Sequence, residues 1–350
     1  MLVAYFFLNL RWDRTESVKE KLKRIDYIGN IILIASTVSV LIALTWAGPV
    51  YSWSDARILT PLIIGIAGLV GFAVYEASGI PSEPVMPLRL FPNRTSTIIY
   101  INTFLNNVLM FWCFFFFPLY FQAVKLSSPS WSGVQILPVT LISLPGAAVS
   151  AVLLSKFGKF KILHLIGLVL LTMGIGILYV LERDFTTVEW VLIQLPAAIG
   201  SGFLLNTLLP AFQASVAESD QAAATATWCF MRTFGQVWGV AIAGAIFNSY
   251  TKQYASRIDD PMVQHILSSG DAYASATKAF VTQFEEPIRS QITEVFMLAL
   301  RKVFVVSVAF GGLALVLALF EKNIPLRKAL DTEYGIEDRV KETPRGEAAA

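Results

Sequence analysis

Long apolar runs separated by short polar connections dominate the chain. Eight are long enough to cross a bilayer: Ile28 to Ala47, Ile58 to Tyr75, Thr97 to Gln122, Ser132 to Ser155, Ile162 to Leu181, Trp190 to Phe212, Thr225 to Phe247, and Val303 to Phe320. A crossing helix needs about 20 apolar residues to span a ~30 Å hydrocarbon core. In lipid each run must close its own backbone hydrogen bonds, so each predicts a helix. Apart from Arg232, none of the eight contains Asp, Glu, Lys or Arg. The pattern predicts an all-α polytopic membrane bundle.

The connections carry the orientation. Six basic residues lie between Arg11 and Tyr27, then Arg57 alone, then Arg89 and Arg94, then Lys125 alone, then Lys156, Lys159 and Lys161, then Arg183 alone. Basic connections face the cytoplasm, which predicts a cytoplasmic segment before the first full span and a cytoplasmic C-terminus. The connection "QASVAESD" dissents, being predicted cytoplasmic without Lys or Arg. The opening "MLVAYFFLNL" is too short to span, lacks the basic start of a signal peptide, and runs into a basic connection. It reads as the end of an inbound span whose front is absent.

The predicted organisation is therefore 1–27 as the end of a span plus a cytoplasmic loop, 28–96 as two helices, 97–320 as a six-helix bundle, and 321–350 as a disordered cytoplasmic tail. The long outer connection, 248–302, carries helix signals of its own. In "DDPMVQHILSSG" Asp260 is a candidate N-cap, Pro261 a first helical residue and Gly270 a stop. "EEPIRSQITEVFMLALRKVF" starts similarly at Pro287 and predicts a helix running into the last span.

Composition agrees with the pattern. Of the 350 residues, 55% are hydrophobic and only 15% charged, and mean hydropathy is +0.61. A net charge of +2 gives no reason to expect nucleic acid as a partner. Cys113 and Cys229 both fall in apolar runs and predict neither a disulfide framework nor a zinc site. The two histidines, His164 and His265, stand apart in the sequence, and no nucleophile elbow or HExxH occurs. No catalytic constellation, metal site or cofactor is expected.

Three stretches narrow the class: "IDYIGNIILIASTVSVLIALTWAGPVYSWSD" with "EPVMPLRLFPNRT", "FPLYFQAVKLSSPSWSGVQILPVTLISLPGAAVSAVLLSKFGKFK", and "IGSGFLLNTLLPAFQASVAESDQAAATATWCFMRTFGQVWGVAIAGAIF". Together, over nearly the whole chain to about Leu330, they resemble the major facilitator superfamily. The likeness is to its fourteen-span drug:proton antiporter branch, most closely the fungal members. That resemblance implies two linking helices followed by the C-terminal bundle, with the N-terminal bundle absent. It further implies alternating access, a hydrophobic small-molecule substrate, proton coupling through residues of the absent half, and the plasma membrane as location. "LLSKFGKFK" resembles the degenerate second copy of a family loop, keeping Gly158 with Lys156, Lys159 and Lys161 but no acidic partner; it serves either as a tight turn or in gating.

Arg232 is the one ionised group inside a run. An intramembrane charge is a functional hypothesis by default, set against snorkelling from a position two turns past Thr225. The family pattern Arg-x-x-Gly-Gln-x-x-Gly matches at Arg232, Gly235, Gln236 and Gly239. Gly235, Gly239 and Ala243 recur every fourth residue, the spacing of a close helix contact. Asn102, Asn106, Gln194, Asn206 and Gln236 are uncharged polar residues within runs and must face protein or water. They are candidates for a substrate cavity or for plain interhelical hydrogen bonds. Asn102 and Asn106 share a face. The aromatic run from Phe111 to Phe117 is either packed bulk or part of an apolar site. Pro118, Pro138, Pro145, Pro196 and Pro210 predict bends.

The function expected is proton-coupled efflux of hydrophobic small molecules. With no Asp or Glu inside the eight runs, this chain is expected to lack a buried proton carrier. The alternative is a fragment without transport of its own, acting as a membrane scaffold or as a half-transporter that needs a second chain. The orientation is testable at the sequon Asn93-Arg94-Thr95. Expressed in a glycosylating host, the chain should show no endoglycosidase-sensitive mass at Asn93. A glycan there would invert the wiring.

Overall fold

In the computed structural model, the residues described are 25–326 except 49, 82 and 271, together with Lys19 and Leu22. The opening apolar stretch, most of the basic segment after it and the tail beyond 326 lie outside them. The chain divides into two units, Asp26–Leu326 and the two termini; the architecture below is that of the first.

Eight helical segments among the described residues are long and apolar enough to cross a membrane. The first two are α1 (Tyr27–Trp46) and α2 (Ala56–Ala77), which pack as a pair. Gly65 makes the contact possible, since a Cβ there would stand 2.5 Å from Val40 Cγ2 and 2.8 Å from Ser36 O. Both helices expose broad apolar faces, Ile31, Ile34 and Val38 on α1 and Ile63, Val70 and Val74 on α2. Such patches are untenable in water and fit hydrocarbon.

The third span, α3 (Arg94–Ala123), is the most deeply buried of the eight. Asn93 caps it, accepting from Ser96 N at 3.0 Å. The fourth comprises α4 (Pro129–Gln135) and α5 (Leu137–Phe157), and the fifth is α6 (Phe160–Ile177). The sixth is broken into α7 (Thr187–Leu192), α8 (Leu195–Leu205) and α9 (Leu208–Ala214). The seventh, α10 (Gln221–Tyr254), and the eighth, α14 (Ile288–Leu319), run to 34 and 32 residues. Between them lie α11 (Pro261–Ser268), α12 (Ala272–Ser275) and α13 (Lys278–Val281).

The bends predicted at proline appear as breaks in two of the spans. The fourth and sixth spans are segmented, because Pro138, Pro196 and Pro210 each lack the N–H that would close the turn before them. Breaks fall at 136, at 193–194 and at 206–207. Pro118 and Pro145 lie inside uninterrupted helices.

Helix contacts follow the small residues. α8 is held between α5 and α6, and α10 and α14 both pack on α3. Gly235 and Gly239 of α10 lie against α3, where a Cβ would stand 2.5 Å from Phe104 O and Val108 O respectively. Gly158 ends α5 in the left-handed region (φ 65°), donating its N–H to Leu154 O at 2.8 Å.

The long connection after α10 behaves as its signals predict. Asp260 caps α11 by accepting from Met262 N at 2.8 Å, Gly270 follows at φ 111°, and α14 runs from Ile288 through the last span. These short helices are not merely superficial: Val263, Leu267 and Val281 are buried, and Tyr273 joins Phe116, Phe247 and Phe296 in one ring cluster. On the same side, the 181–185 turn is stapled three ways. Tyr120 Oη donates to Glu182 O, Lys125 Nζ to Arg183 O and Phe185 O, and Arg301 to Leu181 O. Partial burial lowers the Lys125 ammonium from its ordinary value, while Asp184 and Glu189 pull the other way.

The glycine contacts give a signed prediction. Gly239→Ala should destabilise the chain in detergent by about 1–3 kcal/mol, as overpacking does. Gly244→Ala on the same helix meets nothing within 4 Å and should be neutral or gain up to about 1 kcal/mol from helix propensity. Thermal unfolding of the two variants in parallel checks the difference.

Candidate functional site: a cleft at mid-depth

One cleft gathers side chains from α3, α5, α8, α9 and α10, with a volume of about 540 Å³ counted to its open mouth. Asn106, Asn107, Met110, Phe111 and Phe114 come from α3, and Trp228, Arg232 and Gln236 from α10. Leu204, Leu205 and Leu208 with Ser143 and Ser201 complete the wall. Apolar walls with a few convergent polar groups are the usual make-up of a small-molecule site.

Its depth comes from the helix starts. Arg232 lies eleven residues into α10 and Asn106 twelve into α3, which at 1.5 Å per residue puts both about 17 Å along their helices. Because α10 begins at Gln221 rather than Thr225, Arg232 sits a turn deeper than the apolar run alone implied. Its guanidinium lies over the Trp228 ring at 5.6 Å. Among the described residues no carboxylate forms an ion pair with it. Trp228 Nε1 and Asn106 Oδ1 are buried with no hydrogen-bond partner in the protein. The cleft is therefore lined by one cation and several uncharged polar side chains among aromatic and leucine side chains.

The structure separates the polar candidates. Asn106, Arg232 and Gln236 line the cleft together. Gln194 does not: its amide donates to Trp190 O at 2.9 Å and Gln135 O at 3.2 Å, bridging the break between α7 and α8. Asn206 donates to Ala147 O at 3.3 Å at the second break. Gln194 thus satisfies carbonyls at the breaks, and Asn206 ties the second break to α5. Asn102 also lies outside the cleft, donating to Glu321 Oε1 at 3.2 Å. The aromatic run divides as well, with Phe111 and Phe114 in the cleft, Trp112, Phe116 and Phe117 in the core and Phe115 exposed.

Two expectations drawn from the apolar runs fail at their margins. Glu76 lies within α2 and is buried, its carboxylate accepting from Val85 N and Met86 N. Glu321, one residue past Phe320, is buried and meets His164 Nδ1 at 2.8 Å. The span ends therefore do carry buried acids, and His164 is not isolated. The partners are 157 residues apart, which is why spacing could not find them. Among the described residues no group of His, Cys, Asp and Glu could hold a metal ion.

Comparison with known proteins fits this architecture. The fungal trichothecene efflux pump (TRI12) profile matches residues 3–288. The MFS-type transporter gkaD of Penicillium citrinum is 44% identical over 99% of this chain and 60% of its own length. The MFS-type efflux pump LUC4 of a Fusarium species is 39% identical over 97% of this chain and 61% of its own. The acurin A biosynthesis cluster MFS-type transporter of Aspergillus aculeatus is 41% identical over 94% and 60%. The chain thus spans about 60% of the length of these relatives. With a profile match over most of its residues and relatives this similar, the chain belongs to the fungal trichothecene efflux pump (TRI12) family of major-facilitator-type transporters.

Proposed function

We propose that this chain forms the C-terminal wall of a proton-coupled exporter of hydrophobic small molecules, a secondary metabolite being the leading substrate class. In this reading α1 and α2 are the linking pair, the helices from α3 to α14 are the moving bundle, and the membrane is the plasma membrane. The basic connections at the starts of α3 and α6 face the cytoplasm. Substrate binds at mid-depth and the bundle tilts about it, the alternating-access motion of secondary transporters.

The observation that supports this most is the cleft itself. Its apolar walls suit a hydrophobic skeleton. Arg232, Gln236, Asn106 and Trp228 offer donors and an acceptor to the few oxygens such a molecule carries. A purely packing role for Arg232 would call for a carboxylate or carbonyl partner, since burying a charge without one is costly. Its position over Trp228 leaves the guanidinium's donors available to a ligand. Gly235 and Gly239, one and two turns on, keep α10 tight on α3, so that Asn106 and Gln236 stay on facing walls. Gly158 serves as the turn that ends α5.

The test is export of a hydrophobic dye or azole from cells expressing the chain, beside the same cells expressing Arg232→Ala or Gln236→Ala. A hydrogen bond to a charged group contributes about 1.5–3 kcal/mol, so Arg232→Ala should cut export roughly 10- to 100-fold at equal membrane abundance. Gln236→Ala should cut it less. Gln194→Ala should reduce abundance instead, because it strips partners from buried carbonyls. A chain that neither exports nor is thermally stabilised by any such compound would refute the reading.

A further inference from the structure

At the end of the bundle where α6 begins and α14 finishes, three helices meet around one buried carboxylate. Glu321 Oε2 lies 2.8 Å from His164 Nδ1, and both side chains are fully enclosed. Glu321 Oε1 accepts from Asn102 Nδ2 at 3.2 Å. The flanking backbone is tied down as well: Lys322 N donates to Thr95 Oγ1, Lys161 N to Asn323 Oδ1 and Lys161 Nζ to Leu319 O. An ionised carboxylate only accepts, so Nδ1 carries the hydrogen and the other ring nitrogen is left as a bare acceptor. That atom, His164 Nε2, is buried with no partner among the described residues.

A buried polar atom without a partner calls for a reason, and here the chemistry supplies one. We propose that His164 Nε2 is a proton-binding atom of this bundle, with Glu321 as the positioning residue that fixes the tautomer and balances the imidazolium. Unloaded, the pair is neutral imidazole with carboxylate, net charge −1. Loaded, it is imidazolium with carboxylate, net charge zero. The proton comes from water and returns to water, and no other bond changes.

The surroundings make that one charge consequential. Arg94, Lys156, Lys159, Lys161 and Lys322 lie on the elements that meet at this end. Asp26, Glu76, Glu83, Glu218 and Asp220 are acids on the connections and helix ends there, Arg89 is paired with Asp220, Arg232 and Lys252 lie further along α10, and α8 and α9 carry no charge. The remaining charges of α14, namely Arg289, Glu294, Arg301 and Lys302, belong to its first half. A change from −1 to zero at this buried pair alters how tightly the last turn of α14 is held against α3 and α6. Asn102 and Asn106 stand one turn apart on α3, each with a buried Oδ1 lacking a protein partner. They place polar atoms between the pair and the cleft.

This deepens the proton-coupled reading by naming a carrier within this half, yet its test needs neither substrate nor gradient. The full chain, labelled with 13C,15N-histidine and reconstituted in lipid nanodiscs, contains two histidines, and His265→Asn assigns them. Between about pH 5 and 9, the range in which imidazole ordinarily titrates, the His164 ring should pass from the imidazolium to the neutral signature. Glu321→Gln, which removes the negative partner, should move that midpoint by about one pH unit or more. If that variant does not fold, Glu321→Asp, which withdraws the carboxylate by one methylene, should shift it in the same direction by less. A His164 signature constant across the range, or a midpoint indifferent to both variants, would overturn the proposal and leave a structural contact. Loss of dye export with His164 titration intact would count against the export reading alone.

Discussion

Hydrocarbon offers no hydrogen bonds, and that shortage governs the bundle more than any single contact. Each polar atom drawn into the interior must find its partner within the protein, and the helix most deeply drawn in is α3. It carries Thr95, Asn102, Thr103, Asn106 and Asn107, all buried. Four of them are spoken for, with Thr103 and Asn107 returning to their own helix and Thr95 and Asn102 reaching the segment after α14. Asn102 and Asn106 each keep an Oδ1 with no partner among the described residues, and Asn106 borders the cleft.

Backbone proximity is the second constraint and it serves the first. Glycines at 235 and 239 let α10 approach α3, while Gly200 and Gly202 seat α8 against α6 and α5. Close backbones shorten the reach between opposing side chains, so amides such as those of Asn206 and Gln194 can cap the carbonyls of a neighbouring helix. The breaks in the sixth span are tolerated for that reason. A proline frees a carbonyl, and a neighbouring amide takes up the strand of unmet acceptors.

The spans themselves were legible, because an uncharged run of twenty residues has few other uses. The cap at Asp260, the stop at Gly270 and the long final helix followed from local rules. What local rules could not supply was distance across the fold. Arg232 looked close to an interface because Ala222, Ala223 and Ala224 of α10 do not register as an apolar run, yet they are helix. Glu321 looked like the first residue of a tail, one position outside the last run, and only the packing of α6 and α3 encloses it. Of the polar candidates, Gln194 and Asn102 read the same as Asn106 in one dimension; the difference lies in which neighbour each amide meets.

The stapled turn at 181–185 and the ring cluster around Tyr273 have a mechanical meaning. Three donors, from α3, from Lys125 just beyond it and from α14, hold four carbonyls of the turn, and interlocked rings fasten the 260–281 helices onto the same region. An end so tied behaves as one slab. Any aperture on that side must then open between this slab and whatever faces it, since nothing within the slab is free to swing.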